Sequence, residues 1–244
     1  MRADYRERIY ARYGTNFQNT GERFDKAKSK QWGKAYRHYL RGWLPIDREA
    51  KIVELGCGGG RLLHFLKEEG YKQLIGVDIS PDQVLLSKQV VPNVVQSDVL
   101  TFLDNQWGRF DLVIGLDIIE HFHKPEVLRF LDLCFAALKP DGRLVLQTPN
   151  AESPWGSTHR YGDLTHEVCF NPNALSRLLR LTGYSEIEAR EAGPVPIGSS
   201  LVSSIRSVVW AAIRMGLKVW NMAETGDGGS GVFTRVFLIS GVKK

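Results

Sequence analysis

From Lys51 onwards, short runs rich in Val, Ile and Leu alternate with segments whose apolar residues recur at helical spacing. Ser80 and Gln83 predict a capping box at the start of one of these helices. Apolar strands joined by helices form parallel sheets that are covered on both faces. The alternation therefore predicts an α/β fold with a doubly wound, mostly parallel seven-stranded sheet. The predicted strands are 51–55, 73–78, 93–98, 110–117, 142–148, 184–192 and 232–242.

Charge and cysteine content limit the classes of protein to consider. The net charge is +5, but the cations are interspersed, so we expect no nucleic-acid partner despite the basic balance. Cys57, Cys134 and Cys169 form no CxxC pattern, which argues against a disulfide framework and favours a cytoplasmic location. The N-terminus lacks the apolar core of a signal peptide, and no run of eighteen apolar residues predicts a membrane span.

The turn after the first predicted strand is rich in glycine, at the point where a buried strand becomes a helix. Glu54 is followed by glycines at 56 and 58–60. A phosphate-binding loop would need Gly-Lys followed by Ser or Thr, and a dinucleotide fingerprint starting at Gly56 would need a small residue where Arg61 stands. A tight turn that binds nothing is a third interpretation. A carboxylate that leads into glycines favours a ligand with a cation and an amino acid group.

This segment resembles motif I of class I S-adenosylmethionine (SAM)-dependent methyltransferases, and the following strands match the order of that family over roughly residues 50–190. The resemblance implies that Asp78 accepts hydrogen bonds from the ribose hydroxyls and Asp98 from the adenine amino group. Either aspartate could instead only cap the helix that follows it. The cofactor-binding residues predicted on this basis are Glu54, Gly56, Gly58, Gly60, Asp78, Ile79, Asp98, Val99 and Leu116.

The resemblance also divides the chain, which we expect to be a single methyltransferase domain over residues 1–244. Residues 1–49 are the predicted helical N-terminal cap, which either closes over the cofactor or only packs on the sheet. Residues 50–195 are the predicted cofactor-binding core and residues 196–230 an apolar helical insertion. The last strand lies within residues 231–244.

Acidic residues and histidines cluster in "GLDIIEHFHK", at the end of the fourth predicted strand. A helical turn would place Asp117, Glu120 and His121 on one face, and the later loop "DLTHEVCF" offers His166. One interpretation is a helix N-terminus that favours acids, with one hydrogen-bonded histidine. The other is a divalent metal site of Asp117, Glu120, His121 and His166. Mixed carboxylate and imidazole ligands favour Mn²⁺, Fe²⁺ or Zn²⁺, whereas the related enzymes favour Mg²⁺.

Three subfamilies share parts of this pattern and imply that the acceptor atom is oxygen. Ubiquinone-pathway O-methyltransferases resemble it in "DIIEH" and "THEVCFNP". Small-RNA 3′-end 2′-O-methyltransferases resemble it in an acidic residue, then an acidic residue followed by His, and a later His. The first acid is Glu in many RNA enzymes and Asp117 here. Methyltransferases of bacterial polysaccharide clusters resemble nearly the whole chain, including "LKPDGRLVLQTPNAESP" and "DLTHE".

The leading hypothesis is therefore an O-methyltransferase for a hydroxyl of a bacterial glycan or sugar precursor. A quinol head group and an RNA 3′ end are alternative acceptors, and a non-enzymatic cofactor-binding scaffold is the remaining class. Removing the proton from a hydroxyl calls for a metal or a base, so His121, His166 and Asp117 are the predicted catalytic residues. Further candidates for the acceptor pocket share one loop: Asn150, Trp155, His159, Arg160 and Tyr161.

The apolar segment 199–222 has a helical pattern with cations on one side. Arg206, Arg214 and Lys218 fall within about a third of the helix circumference at 100° per residue. Trp210 and Trp220 accompany them, as in helices that lie in a membrane interface. Such contact would suit a lipid-linked acceptor at the inner face of the membrane. A buried helix and a dimer interface are the alternatives, and the sequence leaves the oligomeric state open.

Overall fold

A computed structural model describes residues 5–11, 13, 21–195 and 201–244 and contains one seven-stranded sheet. The strands are Lys51–Leu55 (β1), Gln73–Asp78 (β2), Val94–Gln96 (β3), Phe110–Leu116 (β4), Leu138–Pro149 (β5), Tyr184–Glu191 (β6) and Val236–Lys243 (β7). Their order across the sheet is β3-β2-β1-β4-β5-β7-β6. Neighbouring strands are parallel except that β7 runs antiparallel to both β5 and β6. This order confirms the predicted doubly wound, mostly parallel fold.

Helices flank the sheet and also precede it. They are Tyr5–Tyr10 (α1), Lys26–Tyr39 (α2), Arg61–Glu68 (α3), Pro81–Ser87 (α4), Val99–Leu103 (α5), Lys124–Ala137 (α6), Gly156–Arg160 (α7), Pro172–Leu181 (α8) and Leu201–Thr225 (α9), with a 3₁₀ turn at Ile119–His121. Of the predicted cap, α1 and α2 are helical, and residues 1–4, 12 and 14–20 lie outside the described residues. Of the predicted insertion, α9 is helical and residues 196–200 lie outside them.

Two apolar layers cover the sheet because successive strand residues point to opposite faces. In β1, Ile52 packs in the layer that contains α2, α3 and α4, and Val53 packs in the layer that contains α6 and α8. Phe130 of α6 is fully buried. By contrast, α9 contains no buried residue. Within the described ranges, no helix is long and apolar enough to cross a membrane.

Two local predictions are wrong. The fifth strand was predicted at 142–148, but α6 ends at Ala137 and β5 begins at the next residue, so the "KPDG" segment at 139–142 lies inside the strand. The pairing register with β4 shifts between residues 110 and 112, so this segment is a bulge inside the strand. Asp141 has φ 60° there. A Cβ on Gly142 would lie 2.8 Å from the carbonyl oxygen of Lys139, which explains the glycine.

The predicted capping box of α4 does not form. The Ser80 side chain makes no cap hydrogen bond, and its Oγ donates to the carbonyl oxygen of Tyr10 at 2.8 Å. The same hydroxyl also contacts the carboxylate of Asp82. The serine therefore connects α1 to the start of α4, a long-range role that competes with local capping.

Candidate active site

The glycine loop bends the chain sharply between β1 and α3. Gly56 and Gly58 have φ values of 66° and 48°, which disfavour any residue with a side chain. A Cβ on Gly56 would lie 3.0 Å from Cδ1 of Ile118. The missing side chains thus allow the loop to turn beside the residues that follow β4.

Gly60 differs from Gly56 and Gly58 in its position, and its predicted cofactor contact stays a prediction. It has φ 84° and lines neither of the cavities that border the glycine loop. A Cβ there would lie 3.0 Å from Cβ and 3.1 Å from Cα of Ser87. The residue is therefore a glycine because the loop packs on α4.

Ten of the predicted site residues line one cavity of about 260 Å³ at the carboxyl ends of β1, β2 and β4. This edge is where open α/β sheets bind their ligands. Segments that are far apart in sequence contribute to it, including the loop after β5. The ten residues are Gly56, Gly58, Asp78, Ile79, Asp98, Val99, Leu116, Asp117, His121 and His166.

A second cavity, of about 450 Å³, lies along the other part of the glycine loop. Gly56, Gly58, Leu116 and Asp117 line both cavities. Glu54 lines the second one, with the basic side chains Arg23, Lys28 and Arg61. An elongated ligand that lies across the glycine loop can therefore occupy both cavities at once.

Asp78 is held by backbone N–H groups at the end of β2. Its Oδ2 accepts from the N–H of Gly58 at 2.7 Å and its Oδ1 from the N–H of Ser80 at 2.9 Å. Burial raises the pKa of this carboxyl, and the two N–H groups oppose that shift. Each oxygen retains a lone pair that can accept from a ligand hydroxyl.

The position of Asp98 is compatible with both interpretations that the sequence left open. Its Oδ1 accepts from the N–H of Thr101 at 2.9 Å and so caps α5, while the residue also lines the first cavity. Its second carboxylate oxygen is available to a ligand. Ile79 and Val99 supply apolar surface in the same cavity.

Glu120, His121 and His166 form the Glu120 group, in which one ligand atom from each residue lies within 4.8 Å of the others. The loop after β5 folds back onto this group, because the carbonyl oxygen of Glu120 accepts from the N–H of Glu167 at 2.8 Å. A group of two histidines and one buried carboxylate has the donor set of a divalent metal site.

Both histidines are oriented through Nδ1. In His121, Nδ1 lies 3.2 Å from the carbonyl oxygen and 2.9 Å from Oγ1 of Thr165, whose hydroxyl donates to Asp163 at 2.7 Å. In His166, Nδ1 lies 2.8 Å from the carbonyl oxygen of His159. A carbonyl oxygen requires a proton on Nδ1, so Nε2 of each ring carries the free lone pair.

The carboxylate of Glu120 is buried and only partly satisfied. Its Oε2 accepts from Oγ1 of Thr148 at 2.9 Å, and its Oε1 has no hydrogen-bond partner in the described part of the chain. Burial and the charge of Asp117 raise the pKa of Glu120 well above its usual value. Burial, with a smaller effect of His166, lowers the pKa of His121 to about 4. His121 is therefore neutral at pH 7, and a cation in the group would stabilise the Glu120 carboxylate.

A comparison with known protein families agrees with this arrangement. A family model described as a methyltransferase domain matches residues 24–189. The chain belongs to this methyltransferase domain family. It is a class I SAM-dependent methyltransferase, as the resemblance predicted.

Curated relatives of the methyltransferase carry two kinds of name. A small RNA 2′-O-methyltransferase of Mus musculus is 28% identical over 172 residues, which are 63% of this chain and 43% of the relative. A ubiquinone biosynthesis O-methyltransferase of Idiomarina loihiensis is 31% identical over 106 residues, 41% of this chain and 42% of the relative. The chain thus spans less than half the length of these relatives.

Among solved structures, a SAM-dependent methyltransferase from Archaeoglobus fulgidus matches 98% of this chain and 100% of its own, with 23% identity and a TM-score of 0.65. This similarity shows that the two proteins share a fold.

The methyltransferase offers a chemically suitable site for the ammonium group of SAM. Glu54 is 3% exposed, and its Oε2 has no hydrogen-bond partner among the described residues. Burial, and then the charge of Asp78, raise its pKa well above the usual value. A ligand cation in the second cavity would compensate this buried carboxylate. The individual cofactor contacts stay predictions.

Asp117 does not join the Glu120 group, which corrects the predicted four-residue metal site. The prediction assumed a helical turn, but Asp117 has φ 53° and the 3₁₀ turn starts only at Ile119. Oδ2 of Asp117 accepts from Nε2 of Gln147 at 2.9 Å instead.

The sequence does not predict two series of side-chain hydrogen bonds around the site. Tyr36 donates to Gln147 at 2.7 Å, and Gln147 donates to Asp117. Tyr13 donates to Oδ2 of Asp163 at 2.7 Å, and Thr165 connects that aspartate to His121. The pattern Asp-x-Thr at 163–165 is typical of a side-chain turn, but it does not reveal its distant partners.

The N-terminal cap contributes to the first cavity. Arg6, Tyr10 and Tyr13 line it together with the predicted cofactor residues. Arg6 also donates to the carbonyl oxygen of His121 at 2.9 Å and pairs with Glu126 at 3.2 Å. The described part of the cap thus contacts the site as well as the sheet.

The loop candidates for the acceptor pocket have mostly structural contacts. Asn150 is fully buried and donates to two backbone carbonyls near the start of β7. Arg160 donates to two carbonyls of its own loop. These bonds explain the position of Arg160, and no acidic substrate is needed to explain it. Trp155 and Tyr161 are 60% and 81% exposed, and His159 orients His166 through its backbone.

Proposed function

We propose that this methyltransferase transfers the methyl group of SAM to a hydroxyl of a bacterial glycan or of its sugar precursor, with a divalent ion in the Glu120 group. The observation that carries the proposal is the buried Glu120 beside two histidines, with one ligand atom of each residue within 4.8 Å of the others. Its Oε1 has no partner among the described residues, and both histidines have a free Nε2 lone pair.

The cofactor residues would hold SAM across both cavities. Asp78 would accept from the ribose hydroxyls, Asp98 from the adenine amino group, and Glu54 would compensate the ammonium group. When bound, SAM supplies a methyl group on a positively charged sulfur, a strong electrophile. The chain therefore has to place the acceptor oxygen in line and promote the loss of its proton.

Glu120, His121 and His166 would hold the ion. A divalent ion acts as a Lewis acid that lowers the pKa of a hydroxyl and can orient a neighbouring oxygen. In the alternative mechanism without metal, Nε2 of His121 or His166 accepts the proton directly. Burial keeps His121 neutral, and the hydrogen bond from its Nδ1–H to the carbonyl oxygen of Thr165 keeps its lone pair on Nε2, so the residue suits either role.

Three protein ligands leave coordination positions for an acceptor with two adjacent oxygens. Vicinal hydroxyls are the common feature of sugars, and the resemblance to methyltransferases of polysaccharide clusters extends over nearly the whole chain. The names of both kinds of curated relative state O-methylation. The longer alignment with the small RNA enzyme makes an RNA 3′ end the second candidate acceptor.

The test is transfer of labelled methyl from SAM to matched panels of nucleotide sugars, lipid-linked saccharides, quinols and short RNAs. We expect label on a saccharide, with loss of transfer in chelator and recovery with Mg²⁺ or Mn²⁺. Label on RNA or quinol alone would contradict the glycan proposal. Calorimetric titration with Mn²⁺ in the absence of acceptor tests the ion separately, and equal binding by His166→Ala would contradict the metal site.

A further inference from the structure

The long helix α9 presents its apolar side away from the protein. Its half-buried side chains are mostly polar and include Ser203, Ser207, Trp210, Arg214, Leu217 and Asn221. On the other side, ten large apolar residues are each at least 48% exposed: Leu201, Val202, Ile205, Val208, Val209, Ile213, Met215, Val219, Trp220 and Met222. An ordinary surface helix has the opposite arrangement, with its apolar stripe facing the core.

The inward side of α9 is fixed by polar contacts. Glu191 at the end of β6 accepts from Nε1 of Trp210 at 2.9 Å and pairs with Arg214 at 3.1 Å. Ser203 donates to the carbonyl oxygen of Val195 at 2.8 Å. These bonds determine which side of the helix faces outward.

The outward apolar face is wide and free of charge. At 100° per residue it occupies about half of the helix circumference, and all four charged residues of α9 lie outside it. Arg206 and Lys218 flank the face on opposite edges, are exposed and form no ion pair within the described part of the chain. Glu224, near the C-terminal end, accepts from Nε1 of Trp220 at 3.0 Å.

We propose that α9 docks this protein on an anionic lipid bilayer, with the apolar face in the headgroup and acyl boundary and Arg206 and Lys218 reaching lipid phosphates. The width of the face favours a bilayer over a second copy of the chain. A paired helix covers a stripe of about two residues in seven, which would leave much of this face in water. A bilayer covers the whole face, and the net charge of +5 complements anionic lipid. This inference does not depend on the acceptor.

The test is sedimentation of the full chain with vesicles of phosphatidylcholine, alone or mixed with an equal amount of phosphatidylglycerol. We expect binding to the mixed vesicles that falls as salt is raised. Ile205→Asp combined with Val209→Asp should weaken binding by at least about tenfold. Ile46→Asp is the matched control, because Ile46 is 98% exposed outside α9 and its substitution should leave binding unchanged. Circular dichroism and donor binding report whether each variant is folded.

Arg206→Gln and Lys218→Gln should each weaken binding to the mixed vesicles by about fivefold and leave binding to pure phosphatidylcholine unchanged. Absence of sedimentation with mixed vesicles at low salt would overturn the proposal, as would undiminished binding by the Ile205/Val209 variant. A dimer in light scattering that this variant dissociates, without vesicle binding by either protein, would assign the face to a second copy.

Discussion

The site contains two sets of residues, those predicted to hold SAM and those of the Glu120 group. Different kinds of contact position the two sets. Asp78 accepts from backbone N–H groups that the ends of β1 and β2 already place, so its position follows from the sheet. His121 depends on Thr165, 44 residues away, and His166 on a carbonyl of its own loop. Substitutions should therefore separate donor affinity from the rate of methyl transfer.

The largest expected effect is on rate. His166→Ala should lower kcat by about 100-fold or more while donor affinity stays unchanged, because the histidine belongs to the Glu120 group and not to the residues predicted to hold SAM. Initial rates and calorimetry measure the two quantities. His38→Ala, on α2, is the matched control and should retain full activity. A parallel loss of donor affinity in His166→Ala would remove the distinction between the two sets of residues.

Chelation refines the same experiment. With a metal in the Glu120 group, chelator should reduce the wild-type rate to that of His166→Ala, and added Mn²⁺ should restore only the wild type. With a histidine base alone, chelator would have no effect, and His166→Ala would lose the imidazole limb of the pH–rate profile.

Asp78→Ala should produce the opposite pattern. Loss of two hydrogen bonds to a charged acceptor should weaken donor binding by about 100-fold. Asp98→Ala should weaken it less, because Ile79 and Val99 offer apolar surface to the adenine in the same cavity. Asp104→Ala is the control, since Asp104 pairs with Arg129 at the surface. Titration calorimetry giving equal affinities for Asp78→Ala and wild type would contradict the assignment.

Thr165→Val should reduce kcat by about tenfold with little change in donor affinity. The substitution removes the hydroxyl between Asp163 and His121 but keeps the backbone carbonyl that accepts from Nδ1. Thr182→Val removes a hydroxyl at the end of α8 and serves as the control. An unchanged kcat in Thr165→Val would show that the carbonyl alone orients His121.

The smallest expected effect is on stability. Because the folded pKa of Glu54 is raised, the folded chain retains a proton that the unfolded chain releases, so Glu54 lowers stability as pH rises above about 4.5. Glu54→Gln should therefore raise the free energy of unfolding by about 1 kcal/mol at pH 7 and change it little at pH 4. Urea unfolding measures this gain. Calorimetry should show weaker donor binding, and an affinity equal to wild type would contradict the ammonium role.

Much of the fold was predictable because strands and turns are specified by residues that are neighbours in the sequence. The bounds of β1 and β2 match their predicted runs, since Val, Ile and Leu between turn residues specify a buried strand. The glycine loop and Asp78 were predictable for the same reason, because both lie at strand ends.

The errors arose where a distant contact decides a local conformation. Ser80 binds the backbone of α1 instead of capping its own helix. Asp117 adopts a left-handed conformation that helical spacing does not predict. The partners of His121 and Asp117, Thr165 and Gln147, come from other segments. No periodicity within one segment contains this information.

The position of α1 has a thermodynamic consequence. Arg6, Tyr10 and Tyr13 form part of the wall of the first cavity, so a ligand that fills this cavity contacts the N-terminal segment. Its binding free energy then includes the docking of α1, and by reciprocity the ligand strengthens that docking. SAM should therefore slow proteolytic cleavage at Arg8 and amide hydrogen exchange in α1, in proportion to the occupancy of the site.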